Sequence, residues 1–210
     1  MNEKILAIKE WLGTGSINIF GLPMSGKDTV GLRLAEDLGA KLLSSGMMIR
    51  QAESESKRDL TSSGELAPTE DFYNIVLPIF EREDLKPYGL ILSSVGRWAG
   101  EEDAVMAAAE AGGHPIKAAV VLNISEADVM ERWRTAKTLG DRGVRADDMK
   151  EEAFRTRLQE FREKTMPVLV HYQQLGLLVP VTGDLTRDEV YALTLDGLYQ
   201  FAMAHRASAA

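Results

Sequence analysis

The chain has 210 residues, no cysteine, and 24 basic against 32 acidic side chains, a formal net charge of −8. That length suits one folded core with small inserts, and without cysteine there can be no disulfide and no thiolate metal site. The acidic balance speaks against a broad nucleic-acid surface, and no stretch is apolar for long enough to cross a membrane, so a cytoplasmic protein is expected.

Ile5, Ile8 and Leu12 recur at helical spacing, and Gly13 ends that run. Ile17-Asn18-Ile19-Phe20 reads as a strand. It feeds Gly21-Leu22-Pro23-Met24-Ser25-Gly26-Lys27-Asp28-Thr29, after which Val30, Leu34 and Leu38 share one helix face up to Gly39. Residues 40–43 form a second strand leading to Ser44-Ser45-Gly46. Residues 47–52 fit a helix, with Met47 and Met48 packed in the core, and residues 54–63 are polar and expected to be mobile. Pro68-Thr69-Glu70-Asp71 starts a helix that carries Phe72, Val76 and Phe80 on one face.

Residues 88–92 read as a buried strand, with Ser93-Ser94-Val95-Gly96-Arg97 leaving its end. A helix over 101–111 closes at Gly112-Gly113, and His114 before Pro115 belongs to a structural turn. Residues 116–124 form the next strand. Ser125 and Asp128 make a capping box for a helix over about 126–136, and residues 138–144 read as an exposed loop. Residues 149–172 look like one long helix with Phe154, Leu158 and Phe161 buried, kinked or ended by Pro167. Residues 177–181 are the last strand. Thr186 and Glu189 cap a helix to about residue 204, and the tail from 206 frays.

Alternating strands and helices predict an α/β core with a parallel sheet covered on both faces. Two excursions, 44–86 and 134–148, interrupt one core spanning 1–210. Ligands of such folds bind outside the C-terminal strand ends. Gly21, Ser44 to Gly46, Ser93 to Arg97 and Gly183 all fall there.

The chemistry begins at the Gly-rich stretch. Strand, glycine loop, Lys27 and helix form a P-loop, whose backbone N–H groups wrap a phosphate at the positive end of a helix. Lys27 adds a charge that reaches the outer phosphates. The position after that Lys holds Asp28, where the motif calls for a hydroxyl; Thr29 comes one later. Arg50 and Arg97 flank two other strand ends, and the planar fork of Arg suits a phosphate. Arginine is also dense between residues 132 and 162. Arg162, beside Glu160 and Glu163, reads as a solvated ion pair.

Together these residues resemble adenylate kinase and the wider nucleoside monophosphate kinases, over nearly the whole chain. The P-loop is similar to Gly-x-Pro-Gly-x-Gly-Lys-Gly-Thr, except at Met24 and Asp28. Ser44-Ser45-Gly46-Met47-Met48-Ile49-Arg50 resembles the monophosphate-binding Ser-Thr-Gly-Asp-x-Leu-Arg. Residues 89–97 resemble Gly-Phe-x-Leu-Asp-Gly-Phe-Pro-Arg. Arg145-Ala146-Asp147-Asp148 with Arg157-Leu158 resembles the lid and its following helix.

The resemblance implies a P-loop kinase fold with a five-stranded parallel sheet, a monophosphate-binding insert and a short lid without structural zinc. It implies Mg²⁺, ATP as co-substrate, and a nucleoside monophosphate as acceptor, AMP ahead of GMP. Gly21, Met24, Ser25, Gly26, Lys27, Asp28, Thr29, Arg132 and Gly183 would bind ATP. Ser45, Gly46, Arg50, Ser94, Arg97 and Glu101 would bind the monophosphate. Lys27, Arg97, Arg145 and Arg157 would act in transfer, and Arg142, Asp147 and Asp148 belong to the lid.

Four departures leave alternatives open. Ser93 stands where the family has an Asp that holds the waters of Mg²⁺. Asp28 either replaces that acid as a metal ligand or points away and caps a backbone group. Ala136 stands where the lid helix has an Arg, so Lys137 or Arg142 would have to reach in. Glu101 replaces a base-reading Gln; it either accepts from the base, which fits guanine or the adenine amine, or belongs to a solvated first helical turn. A non-catalytic nucleotide-binding regulator, or a kinase for a non-nucleotide molecule, would share most of these residues.

Overall fold

The computed structural model describes residues 2–57, 59, 61, 63–139 and 150–207. Strands Ser16–Gly21 (β1), Lys41–Ser44 (β2), Leu90–Ser93 (β3), Ile116–Asn123 (β4) and Leu178–Thr182 (β5) form one parallel sheet in the order β2-β3-β1-β4-β5. Helices Asn2–Leu12 (α1), Lys27–Leu38 (α2), Ser45–Ser56 (α3), Thr69–Val76 (α4), Glu101–Ala111 (α5), Glu126–Leu139 (α6), Glu151–Glu160 (α7), Met166–Gln174 (α8) and Arg187–Ala207 (α9) connect and cover it. No helix among the described residues is long and apolar enough to cross a membrane.

The central strand explains the layering. Successive side chains of a strand face opposite sides. Ile17 and Ile19 of β1 join Leu34, Leu38, Val190 and Leu198 on one side, while Phe20 joins Val168 and Tyr172 on the other. Every residue of β1 is buried, including the polar Ser16 and Asn18. Buried polar groups must find partners. Ser16 Oγ donates to the His114 carbonyl at 2.7 Å, and the buried His114 ring sits 2.7 Å from the Thr14 carbonyl, so His114 is structural as expected.

Helix ends follow local chemistry. Gly39 takes φ 66° at the end of α2 and closes it with N–H contacts to the Ala35 and Glu36 carbonyls. Both capping boxes are present: Asp128 N–H donates to Ser125 Oγ at 3.1 Å, and Thr186 N–H donates to Glu189 Oε2 at 3.0 Å. The Thr186 contacts also hold the Glu189 carboxyl below its usual range.

Several expectations need correction. β3 starts at Leu90; Tyr88 lies outside it, with Lys41 Nζ 4.4 Å above its ring. α3 runs on to Ser56, into the stretch expected to be polar and mobile. Met47 is 63% exposed, because the helix turns it away from the core that Met48 packs against. The long helix over 149–172 does break where Pro167 was expected to end its first part, with Pro167 in the first turn of α8. Phe161–Thr165 forms a π-helical turn in which Met166 N–H reaches the Phe161 carbonyl. Pro167 has no N–H for a regular helical bond, and the wide turn absorbs the loss.

Candidate active site

The C-terminal strand ends surround an open cleft of about 800 Å³. Its wall comes from the P-loop (Gly21, Pro23, Lys27, Asp28), the start of α3 (Ser45, Gly46, Arg50) and the turn after β3 (Ser93, Ser94, Arg97). Arg157, Glu160 and Thr165 close the far side. Four cations, Lys27, Arg50, Arg97 and Arg157, line this cavity with the acids Asp28, Glu65 and Glu160, a local positive balance in a protein whose net charge is −8. Such a local field suits a compact polyanion.

The P-loop reaches its shape by two left-handed residues, Met24 at φ 64° and Gly26 at φ 91°. Ser25 N–H donates to the Leu22 carbonyl at 3.0 Å and tightens the loop. The loop packs closely on Gly21: a Cβ there would lie 2.5 Å from Ser25 Oγ, so Ser25 would have to shift. Lys27 opens α2, so its charge and the N-terminal N–H groups face the same region. Thr29 follows in the same first turn. The Asp28 side chain reaches towards the end of β3. It is exposed, lines the cleft, and accepts a 2.6 Å hydrogen bond from Ser93 Oγ.

On the opposite side Gly46 leaves room for Arg50, whose Nη1 lies 3.0 Å from where a Gly46 Cβ would be. Ser45 Oγ donates to the Ser94 carbonyl at 2.6 Å and ties α3 to the turn after β3. That turn is anchored from the core. Asn18 Nδ2 donates to the Val95 carbonyl at 2.7 Å, and Val95 N–H donates to Asn18 Oδ1 at 3.2 Å. Arg97 is thereby presented from a fixed turn.

Beside Arg97 lies a smaller pocket of about 230 Å³ lined by Ile49, Leu66, Phe72, Trp98 and Glu101. Glu101 is 3% exposed, so it is not a solvated first-turn acid. Its Oε2 accepts the N–H groups of Arg97 and Trp98 at 2.9 and 3.1 Å, and its Oε1 accepts the Thr69 hydroxyl at 3.0 Å. Burial raises its carboxyl above the usual range, and these donors oppose the shift. Trp98 carries Lys164 Nζ 3.9 Å above its ring, and Trp133 stacks on Phe154 in the core.

Arg132 bridges the P-loop and the last strand end. Its Nη2 donates to the Gly183 carbonyl at 2.8 Å, and its Nη1 to the Met24 carbonyl at 3.5 Å. The other arginines divide. Arg162 pairs with Glu126 at 3.0 Å rather than with Glu160 or Glu163, and Arg155 pairs with Glu151. Glu160 is instead a buried cleft residue that accepts the Leu66 N–H at 3.1 Å and pairs with Lys164 at 2.7 Å. Arg142, Arg145, Asp147 and Asp148 lie outside the described residues, as does the Lys137 side chain.

No family profile matches the chain. Curated relatives do. The adenylate kinase of Thermus thermophilus is 35% identical over 196 residues, covering 86% of this chain and 96% of the relative. That of Methylobacterium nodulans is 33% identical over 183 residues, 83% of this chain and 91% of the relative. The Deinococcus radiodurans adenylate kinase is 32% identical over 190 residues, 85% and 94%.

The chain belongs to the adenylate kinase family. It is a phosphotransferase with the α/β fold of a P-loop kinase, acting as a nucleoside monophosphate kinase. Against the adenylate kinase pattern, two of its oddities acquire a geometry. Met24 and Ser94, at φ 64° and 52°, both occupy positions where that pattern has Gly. Their backbone keeps the glycine conformation although the side chain has changed. Three residues that position the site were not singled out from sequence: Asn18, Thr69 and Glu160. Asn18 left a trace, a lone amide in an apolar strand; the other two look like ordinary surface residues until the chain is folded.

Proposed function

We propose that this chain transfers the γ-phosphoryl group of ATP to AMP, giving two molecules of ADP. Lys27 holds the β- and γ-phosphates, and Arg132 with Gly183 borders the ATP base. Arg50 and Arg97 hold the α-phosphate of the monophosphate seated over Ser45, Gly46 and Ser94. An oxygen of that phosphate attacks the γ-phosphorus, and the bond from γ-phosphorus to the β-bridging oxygen breaks. Positioning and charge cancellation are the main tasks in this chemistry. Arg157, already in the cleft, serves the transferring group. The stretch 44–86 is the acceptor-binding insert and 134–148 the lid, where Arg145 joins Arg157, and Arg142, Asp147 and Asp148 fasten closure.

Mg²⁺ travels with ATP and neutralises its outer phosphate oxygens when bound. Asp28 supplies a carboxylate oxygen of the hard kind that ion takes, held by the Ser93 hydroxyl within the same cleft, so the residues present fit it. Both halves of the cleft come from one chain, which supports a working monomer, and we place it in the cytoplasm.

The state of Glu101 carries the choice of AMP. A carboxylate offers about four lone-pair sites. Two at Oε2 serve backbone N–H groups and one at Oε1 serves Thr69, which leaves one acceptor at Oε1. The adenine amine needs one acceptor. The N1–H and N2–H₂ edge of guanine calls for two side by side.

Steady-state assays of ADP formation with ATP and each of AMP, GMP, CMP and UMP test the reading. AMP is expected to lead GMP by at least about tenfold in kcat/KM. GMP equal to or better than AMP would overturn the acceptor choice. ATP binding with no turnover of any monophosphate would favour a regulator instead.

A further inference from the structure

We propose that Asp28 and Ser93 together form the divalent-cation site of the phosphate cleft: the Asp28 carboxylate holds the ion against the ATP phosphates, and Ser93 orients that carboxylate. This rests on the ATP reading above.

The argument starts from position. In a P-loop the residue after the Lys faces the cation that accompanies the nucleotide, usually through a hydroxyl. Here that residue is Asp28, exposed and lining the cleft beside Lys27. A carboxylate so close to a triphosphate is repelled unless a cation lies between them. Its orientation is set by a second element. Ser93, only 2% exposed at the end of β3, donates its hydroxyl to Asp28 Oδ1 at 2.6 Å. That length belongs to a charge-assisted bond to an ionised acceptor.

The two residues are 65 apart in sequence and meet only because β3 lies next to β1. Among the described residues, no group of three or more His, Cys, Asp or Glu could hold a metal by itself. The ion therefore takes its remaining ligands from phosphate oxygens and water. Mg²⁺ is bound in that manner, through one or two carboxylates and the substrate phosphates. Ser93 is the positioning residue of the pair, since hydrogen-bonded carboxylates hold metals better than loose ones. A purely structural Asp28, placed in the first turn of α2 for the helix dipole, would leave metal affinity untouched.

The test reads metal binding, not turnover. Mn²⁺ is titrated into the full chain with saturating ATP and no acceptor, and free Mn²⁺ is followed by electron paramagnetic resonance. Asp28→Asn is expected to weaken Mn²⁺ binding to the protein–ATP complex by about 10- to 100-fold, and Ser93→Ala by several-fold. ATP affinity without metal should hold or rise in Asp28→Asn, which also shows that the variant is folded. The double change Asp28→Asn with Ser93→Asp moves the carboxylate to its contact partner and should restore most of the Mn²⁺ affinity. Unchanged Mn²⁺ affinity in Asp28→Asn would overturn the proposal while leaving the ATP reading intact. Failure of the wild-type chain to bind ATP would overturn both, and a change of acceptor touches neither.

Discussion

Met24 and Ser94 hold the left-handed backbone that their turns need, without being glycine. An L side chain in that region costs roughly 1–2 kcal/mol per residue. The cost is borne where the chain must bend most sharply, at the mouth of the P-loop and just past β3. Ser94→Gly should relieve it, less the extra freedom that Gly brings to the unfolded chain. The net expectation is a gain of about 0.5–1 kcal/mol in urea unfolding. A loss of stability would show that the Ser94 side chain compensates for its backbone. At the same scale Glu101 illustrates how a residue's role depends on its neighbours. Its identity in sequence left two or three readings open, and three hydrogen bonds removed the solvated one.

Among the elements, β1 does more than fill the sheet. Asn18 sits in its apolar run because the turn after β3 has a backbone N–H and a carbonyl that need partners away from water. Asn18→Ala would strand both groups. An expected loss of about 2–6 kcal/mol follows from one to three per unsatisfied buried group. Urea unfolding measures it, and a loss below about 1 kcal/mol would mean that water replaces the amide. The α7–α8 segment shows the same dependence on context. Its apolar stripe and Pro167 were visible in sequence, but the π-helical turn was not. That turn buries Thr165 at the cleft while Val168, Leu169 and Tyr172 stay packed on the sheet.

Over the whole molecule, the large cleft and the smaller pocket adjoin through Ser45, Ile49, Leu66, Ser94 and Arg97, while Lys27 lines only the first and Glu101 only the second; on the proposed function these are the phosphate and acceptor sites. Two ligands should therefore bind together. Each at about 100 times its Kd adds roughly 2.7 kcal/mol, or some 5–10 °C in Tm for a chain of this size. A melting series with AMP, a non-transferable ATP analogue with Mg²⁺, and both should show nearly additive shifts. A combined shift no larger than the greater single one would mean that the two compete for one site. Local patterns along the chain were enough to read the parallel α/β architecture, the P-loop and both capping boxes. Those depend on local spacing: apolar periodicity, glycine placement and capping pairs act within a few residues of one another. Arg50 and Arg97 were legible because they follow strand ends, where such sheets bind their ligands. Tertiary structure alone decided that Glu160 belongs to the cleft, that Met47 faces outward, and that Glu101 is buried. It also decided that Asp28 and Ser93 touch. Strand order brings β3 beside β1, and no local pattern records which distant side chains will then be within hydrogen-bonding reach.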